Sequence, residues 1–104
     1  MTTIAVDFDD TITYVNAYPA VGELKPEAID VLKKLKNNYI LILWTCREGI
    51  YLTEAVNALK ENGVEFDYVN ECPAGSRKVV ADVYIDDRAF GGIVDWKIIE
   101  KTFL

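Results

Sequence analysis

The chain has 104 residues, of which 51% are hydrophobic, so a single domain with a true core is expected rather than a disordered segment. The absence of histidine excludes histidine-based triads and most zinc sites, and the formal net charge of −6 does not favour a nucleic-acid partner. With neither a secretory signal nor a transmembrane run, Cys46 and Cys72 are expected to be reduced thiols of a cytoplasmic protein that does not bind membranes.

The hydrophobic pattern predicts strands that alternate with helices. The predicted elements are a strand at 4–6, a loop at 12–24, a helix at 26–36, a strand at 39–44, a helix that follows Gly49 and stops at Asn62-Gly63, a strand at 66–69, a loop at 70–78, a strand at 82–85 and a helix from about Asp95. This order favours an α/β fold, a Rossmann-like three-layer sandwich with a small, mainly parallel sheet, formed by one domain over residues 1–104.

Polar side chains follow three of the predicted strands. Asp7 and Asp9 follow the first strand, Thr45 follows the second, and Asp86 and Asp87 follow the fourth. In an open parallel sheet these strand ends meet at one edge, where ligands bind. Carboxylates at the ends of buried strands are costly unless they are compensated, and a divalent cation with oxygen ligands is the natural compensation.

The same residues carry a family resemblance. Asp7-Phe8-Asp9-Asp10-Thr11 resembles the DxDx[TV] signature of the haloacid dehalogenase (HAD) superfamily, most of whose members are magnesium-dependent phosphatases. Leu43-Trp44-Thr45 resembles motif II of that superfamily, Lys78 its basic motif III, and Asp86-Asp87 its acidic motif IV. Trp-Thr-Cys-Arg at 44–47 and Tyr-Ile-Asp-Asp-Arg at 84–88 are similar to segments of short, capless HAD-like proteins of bacteria and phages.

The resemblance implies a phosphatase mechanism. Asp7 would be the nucleophile that forms an aspartyl phosphate, and Asp9 the general acid and base. For its first task Asp9 must carry a proton, which the neighbouring carboxylates favour and which magnesium and Lys78 oppose. Thr45 would hold a phosphoryl oxygen and Lys78 would neutralise the phosphate. Mg²⁺ would be held by the Asp7 carboxylate, the backbone carbonyl of Asp9 and Asp86.

Supporting roles are expected for the neighbours of these residues. Asp87 would orient a bound water or Lys78 rather than bind the metal, and the Thr11 hydroxyl could brace the turn after the first strand. Asp10 is expected to point toward solvent. The Thr45 hydroxyl has a second interpretation as the N-cap of the following helix.

The basic residues leave alternatives open. Lys78 lies eight residues before Asp86, too close for the helix expected between motifs III and IV, so Lys78 reaches in from a loop or Arg77 replaces it. Arg47 and Arg88 are candidate contacts for a second phosphate or a substrate carboxylate. Surface ion pairs with adjacent acidic residues are the alternative for both arginines.

No segment is long enough for a cap domain, because residues 12–24 form at most a flap-like loop. An open site suits a small phosphorylated substrate covered by a second subunit of a homo-oligomer, or an exposed phosphate on a larger molecule. Tyr14 and Tyr18 could stack on a substrate or simply pack the flap. The alternative function is a non-catalytic metal- or phosphate-binding regulatory module of the same fold.

Overall fold

A parallel sheet of four strands forms the centre of the fold. The computed structural model describes residues 2–14, 17–92 and 94–104. The strands are β1 (Thr3–Val6), β2 (Ile40–Leu43), β3 (Tyr68–Val69) and β4 (Val83–Ile85), and the helices are α1 (Pro26–Leu35), α2 (Gly49–Glu61) and α3 (Trp96–Phe103). The predicted α/β fold is confirmed, and the predicted element boundaries are correct to within a few residues.

Alternation along the strands divides the core between the two faces of the sheet. Ile4 and Val6 of β1 are fully buried in the larger cluster, which includes residues of all three helices. The helix residues of this cluster are Ala28, Val31, Leu32 and Leu35 of α1, Ala55 and Leu59 of α2, and Trp96 of α3. Since successive side chains of a strand point to opposite faces, all three helices pack on the face that Ile4 and Val6 present.

The opposite face of the sheet is covered by a loop. Ala5 and Ile42 are buried there against Val79, with Cys72 and Ala81 packed around them. The segment between β3 and β4 supplies this cover, and it contains no helix. The outer layer on this side of the Rossmann-like fold is therefore a loop, as predicted from the short spacing between Lys78 and Asp86.

Local sequence signals explain where two of the helices begin and end. The Asp95 carboxylate accepts hydrogen bonds from the backbone N–H groups of Lys97 (2.9 Å) and Ile98 (3.3 Å), which caps the start of α3. Gly63 follows the end of α2 and has a φ of +81°, a left-handed conformation that lets the chain turn back after the helix. A side chain on Gly63 would also meet Cε of Lys33 at 2.9 Å, so glycine suits both the conformation and the packing.

The predicted flap between β1 and α1 is anchored at both ends. Thr13 and Leu24 form an isolated antiparallel bridge, and the backbone N–H of Lys25 donates to the carbonyl oxygen of Ile12 at 2.7 Å. Val15 and Asn16, inside the predicted flap, lie outside the described residues. No helix in the described part of the chain has the length and apolar character needed to cross a membrane.

The order of the strands places a crevice beside β1. The sheet order is β3-β2-β1-β4, so the chain runs outward from β1 to β3 and then returns to the other side of β1. The order therefore reverses between β1 and β4, and ligands bind beyond the carboxyl ends of strands at such a reversal. Asp7 follows β1 and Asp86 follows β4 at this point.

Candidate active site

Three carboxylates meet at the carboxyl ends of β1 and β4. The backbone N–H of Asp7 donates to the carbonyl oxygen of Ile85 at 2.9 Å, which holds Asp7 beside the residues that follow β4. One carboxylate oxygen from each of Asp7, Asp86 and Asp87 lies within 4.8 Å of the other two. We refer to these three residues as the carboxylate trio, and their mutual repulsion has to be relieved by a proton or a cation.

Burial and the neighbouring carboxylates both act on Asp7. Burial is the largest cause, followed by a hydrogen bond with Asp87 and the charge of Asp86, and together they raise the pKa of Asp7 to about 7. The hydrogen bond from Thr11 acts in the opposite direction. The surroundings of Asp7 thus favour its protonated form, whereas a nucleophile must be ionised.

Thr11 braces the trio from inside the protein. Its side chain is completely buried, and its hydroxyl oxygen accepts the backbone N–H of Asp87 at 3.1 Å. The hydroxyl has a single hydrogen to donate, either to Asp7 Oδ2 at 3.1 Å or to Asp87 Oδ1 at 3.3 Å. Because Asp87 also forms a hydrogen bond with Asp7, we place it in the trio rather than behind it.

Asp9 lies outside the trio and is paired with Arg47. Asp9 Oδ2 accepts from Arg47 Nε at 2.9 Å and Oδ1 accepts from Nη2 at 2.7 Å, the two-pronged geometry of a strong ion pair. The hydrogen bonds to Asp9 raise the pKa of Arg47. The Asp9 carboxylate is thereby fixed in orientation beside the nucleophile candidate.

Arg47 has no donor left for a substrate. Besides the two bonds to Asp9, Nη1 donates to the carbonyl oxygens of Pro19 (3.0 Å) and Tyr51 (3.3 Å), and Nη2 donates to that of Ala20 (2.7 Å). These bonds use all five guanidinium N–H groups, and the residue is 1% exposed. The prediction that Arg47 contacts substrate is therefore wrong for this structure, and its ion-pair partner is Asp9 rather than a sequence neighbour.

Aromatic rings complete the enclosure of Arg47. The guanidinium carbon lies 5.2 Å from the centre of the Phe8 ring and 5.1 Å from that of Tyr18. Tyr18 also contacts the Tyr51 ring edge-on, with ring centres 5.8 Å apart. Tyr18 thus packs the flap against α2, one of the two roles proposed for it from the sequence, and it also lines the cleft.

Thr45 faces the same cleft from the end of β2. Its hydroxyl oxygen accepts the backbone N–H of Arg47 at 3.2 Å, and the hydroxyl hydrogen can still be donated to a ligand. The N-cap position of α2 is occupied by Glu48, so the interpretation of Thr45 as the N-cap is wrong.

Two residues of the site were missed or misplaced by sequence reasoning. Asn70, at a positive φ of 52°, accepts the Thr45 N–H at 2.8 Å and donates to the Arg47 carbonyl at 3.2 Å, so it fixes the loop after β2. Asparagine tolerates a positive φ better than most residues, so an asparagine directly after a predicted strand was the sequence signal for this turn. Asp10 lines the cleft, and its Oδ1 atom is buried without a partner, so it does not point toward solvent as expected.

Lys78 is not at the carboxylates. Its Nζ atom lies 6.0 Å from the centre of the Tyr84 ring, and the Tyr84 hydroxyl in turn donates to the Val79 carbonyl on the loop-covered face of the sheet. Neither Lys78 nor the exposed Arg77 lines the cleft. The motif III assignment to Lys78, or to Arg77 in its place, is therefore not supported by the geometry.

The complete cleft has a volume of about 370 Å³. Its lining contains five aspartates, the hydroxyl groups of Tyr18 and Thr45, one thiol and one cation. The lining residues are Asp7, Asp9, Asp10, Tyr18, Thr45, Cys46, Asp86, Asp87 and Arg88.

Comparison with solved structures identifies a relative. The structure of a conserved protein coded by a locus from Bacteroides thetaiotaomicron is 45% identical to this chain, with a TM-score of 0.88, and the match covers 96% of this chain and 87% of that one. The chain belongs to the family of this conserved Bacteroides protein. No protein-family model and no curated protein gives a significant match.

We predict that Arg47→Ala lowers the free energy of unfolding by about 3 kcal/mol, because it leaves Asp9 and three carbonyl oxygens without their buried partner. Urea denaturation measures the change. Arg77→Ala, which removes an exposed arginine, is the matched control and should alter stability by less than about 0.5 kcal/mol. Equal midpoints for wild type and Arg47→Ala would contradict a structural role for the pair.

A second prediction concerns the pH dependence of stability without metal. Because the pKa of Asp7 rises from 3.8 to about 7 on folding, the folded state binds the proton more tightly. The contribution of Asp7 to stability is therefore fully present below pH 3.8 and is lost as the pH rises through about 7.

Urea unfolding in EDTA at pH 5 and pH 8 measures this loss. Asp7→Asn should reduce the fall in stability between the two values, whereas Asp30→Asn, at an exposed carboxylate of α1, should retain it. An unchanged fall in Asp7→Asn would show that Asp7 is not the responsible group.

Proposed function

We propose that the chain is a magnesium-dependent phosphomonoester hydrolase of the HAD type, with Asp7 as the nucleophile. The observation that carries the proposal is the carboxylate trio at the reversal of strand order, with Thr45 lining the same cleft. A phosphatase needs a carboxylate nucleophile, a cation site and a phosphoryl-oxygen donor within one cleft, and these residues meet that need.

The donor set of the trio fits a magnesium ion. Mg²⁺ prefers carboxylate oxygens, and one oxygen from each of the three residues lies within 4.8 Å of the other two. Asp7, Asp86 and Asp87 would hold the ion, and the resemblance adds the backbone carbonyl of Asp9. Bound there, the ion would supply positive charge to the phosphoryl oxygens and favour the ionised form of Asp7.

The chain's own residues would divide the reaction into two displacements. A carboxylate oxygen of Asp7 attacks phosphorus, the ester P–O bond breaks, and the leaving oxygen takes a proton. Water then attacks the phosphorus of the aspartyl phosphate, releasing inorganic phosphate and restoring the Asp7 carboxylate. The Thr45 hydroxyl would donate to a phosphoryl oxygen in both steps.

Asp9 would exchange the proton in both steps. Each carboxylate oxygen of Asp9 accepts one hydrogen bond from Arg47 and keeps a second lone pair that can take a proton. Three carbonyls that share the same guanidinium belong to the flap and to α2, at Pro19, Ala20 and Tyr51. Movement of the flap would therefore shift Arg47 and change its hydrogen bonds to Asp9.

The substrate class follows from the open cleft. Tyr18 lines the cleft and the described residues form no cap domain, so we propose a small phosphomonoester, or an exposed phosphate on a larger molecule, as substrate. We also propose a cytoplasmic location, which is consistent with the two free cysteines Cys46 and Cys72.

We predict that Asp7→Asn lowers metal-dependent phosphate release by on the order of 10³-fold or more, since the nucleophile is lost. Release is measured with a panel of a chromogenic ester, sugar phosphates, nucleotides and phosphopeptides, with Mg²⁺ or with EDTA. The control variant, Asp30→Asn, should keep wild-type turnover. If no ester is hydrolysed by folded wild-type protein with Mg²⁺, the phosphatase assignment fails and a regulatory module becomes the better account.

We predict that Asp9→Asn suppresses turnover by roughly 10²- to 10⁴-fold, the usual contribution of a general acid and base. The loss should be larger for alkyl phosphates than for an aryl phosphate, whose leaving group needs less protonation. Near-normal kcat on both esters in a folded Asp9→Asn protein would remove the assignment.

A further inference from the structure

The cleft has an imbalance of charge that a metal ion alone does not correct. Its lining contains the carboxylates of the trio together with those of Asp9 and Asp10, and among the described residues a single cation, Arg88. A phosphate monoester adds further negative charge. Arg47 neutralises Asp9, but the remaining carboxylates and the incoming phosphate need positive charge from elsewhere.

Other basic groups near the cleft are committed elsewhere. The five N–H groups of Arg47 are all occupied within the protein, as described above. Lys78 lies beside Tyr84, at 6.0 Å from the ring centre, on the loop-covered face. Arg88 is exposed, lines the cleft, and directly follows the trio in sequence.

A tight turn carries Arg88. Its backbone N–H donates to Asp86 Oδ1 at 2.8 Å, which ties the residue to the trio. The turn is closed by Gly92, whose N–H donates to the carbonyl oxygen of Ala89 at 2.7 Å. A Cβ atom at Gly92 would lie 2.2 Å from the Asp87 carbonyl oxygen, so a residue larger than glycine would clash here. Glycine therefore allows the turn to pack directly against the backbone of the trio.

We propose that Arg88, and not Lys78, supplies the protein cation that binds the phosphoryl group in this cleft. The planar guanidinium can donate two parallel hydrogen bonds to two phosphate oxygens, which a lysine ammonium cannot reproduce. The inference rests on the proposed function, and it assigns the phosphate-binding charge to the turn after β4 rather than to the loop before it.

Binding of inorganic phosphate tests the proposal independently of turnover. Calorimetry with phosphate and Mg²⁺ is carried out on wild type, Arg88→Ala, Arg88→Lys, Lys78→Ala and the control Lys101→Ala, which removes one exposed charge from α3. Arg88→Ala should weaken phosphate binding roughly 10- to 100-fold, the loss of a charge-assisted hydrogen-bonded pair, and Arg88→Lys should restore part of it. Lys78→Ala and Lys101→Ala should bind phosphate like wild type, and thermal unfolding verifies that each variant is folded.

The outcomes separate this inference from the proposed function. Wild-type hydrolysis with equal phosphate affinity in Arg88→Ala, or with affinity lost in Lys78→Ala instead, overturns the role of Arg88 and leaves the phosphatase intact. Arg88-dependent phosphate binding without hydrolysis of any ester supports the role of Arg88 and overturns the phosphatase. If wild-type protein binds no phosphate and hydrolyses no ester, both proposals are wrong.

Discussion

The bonds of the buried Arg47 guanidinium hold the cleft together. Removing a charged group from water is costly, and here the cost is offset by the Asp9 carboxylate, by three backbone carbonyls and by two aromatic rings. Because these partners come from the turn after β1, the flap and α2, one side chain fixes three segments relative to one another. The position of Asp9 beside Asp7 is a consequence of that arrangement.

The carboxylate trio brings like charges together, in contrast to the ion pair of Asp9 and Arg47. The trio of Asp7, Asp86 and Asp87 is braced by Thr11, and burial of Asp7 beside the other two carboxylates raises its pKa to about 7. Asp9 is paired with Arg47 within the protein, whereas the oxygens of the trio lie close enough together to hold a metal ion. Such an arrangement suits a site that recruits a cation and a phosphate together, and the exposed Arg88 extends it toward the substrate.

The order of strands and helices could be predicted from the sequence because the apolar runs and their stop signals are local. The ends of β1, β2 and β4 also identified Asp7, Thr45 and Asp86, since parallel topology brings strand ends together. What escaped prediction depends on contacts between distant segments. Arg47 and Asp9 are 38 residues apart in the sequence, and no local sequence pattern around either residue predicts their pairing.

The placement of Lys78 has the same origin. Family resemblance assigns a role to Lys78 from its order along the chain, but the position of Lys78 depends on how its loop packs. Val79 of that loop is buried against Ala5 and Ile42, and this places Lys78 beside Tyr84.

The central claim is that Asp7 forms a covalent phosphoryl intermediate. Acid quenching during turnover with Mg²⁺, followed by mass spectrometry of the peptide containing Asp7, tests it most directly. The account predicts a phosphoryl adduct on Asp7 that is absent in EDTA; turnover without an adduct, or an adduct on another residue, would contradict it.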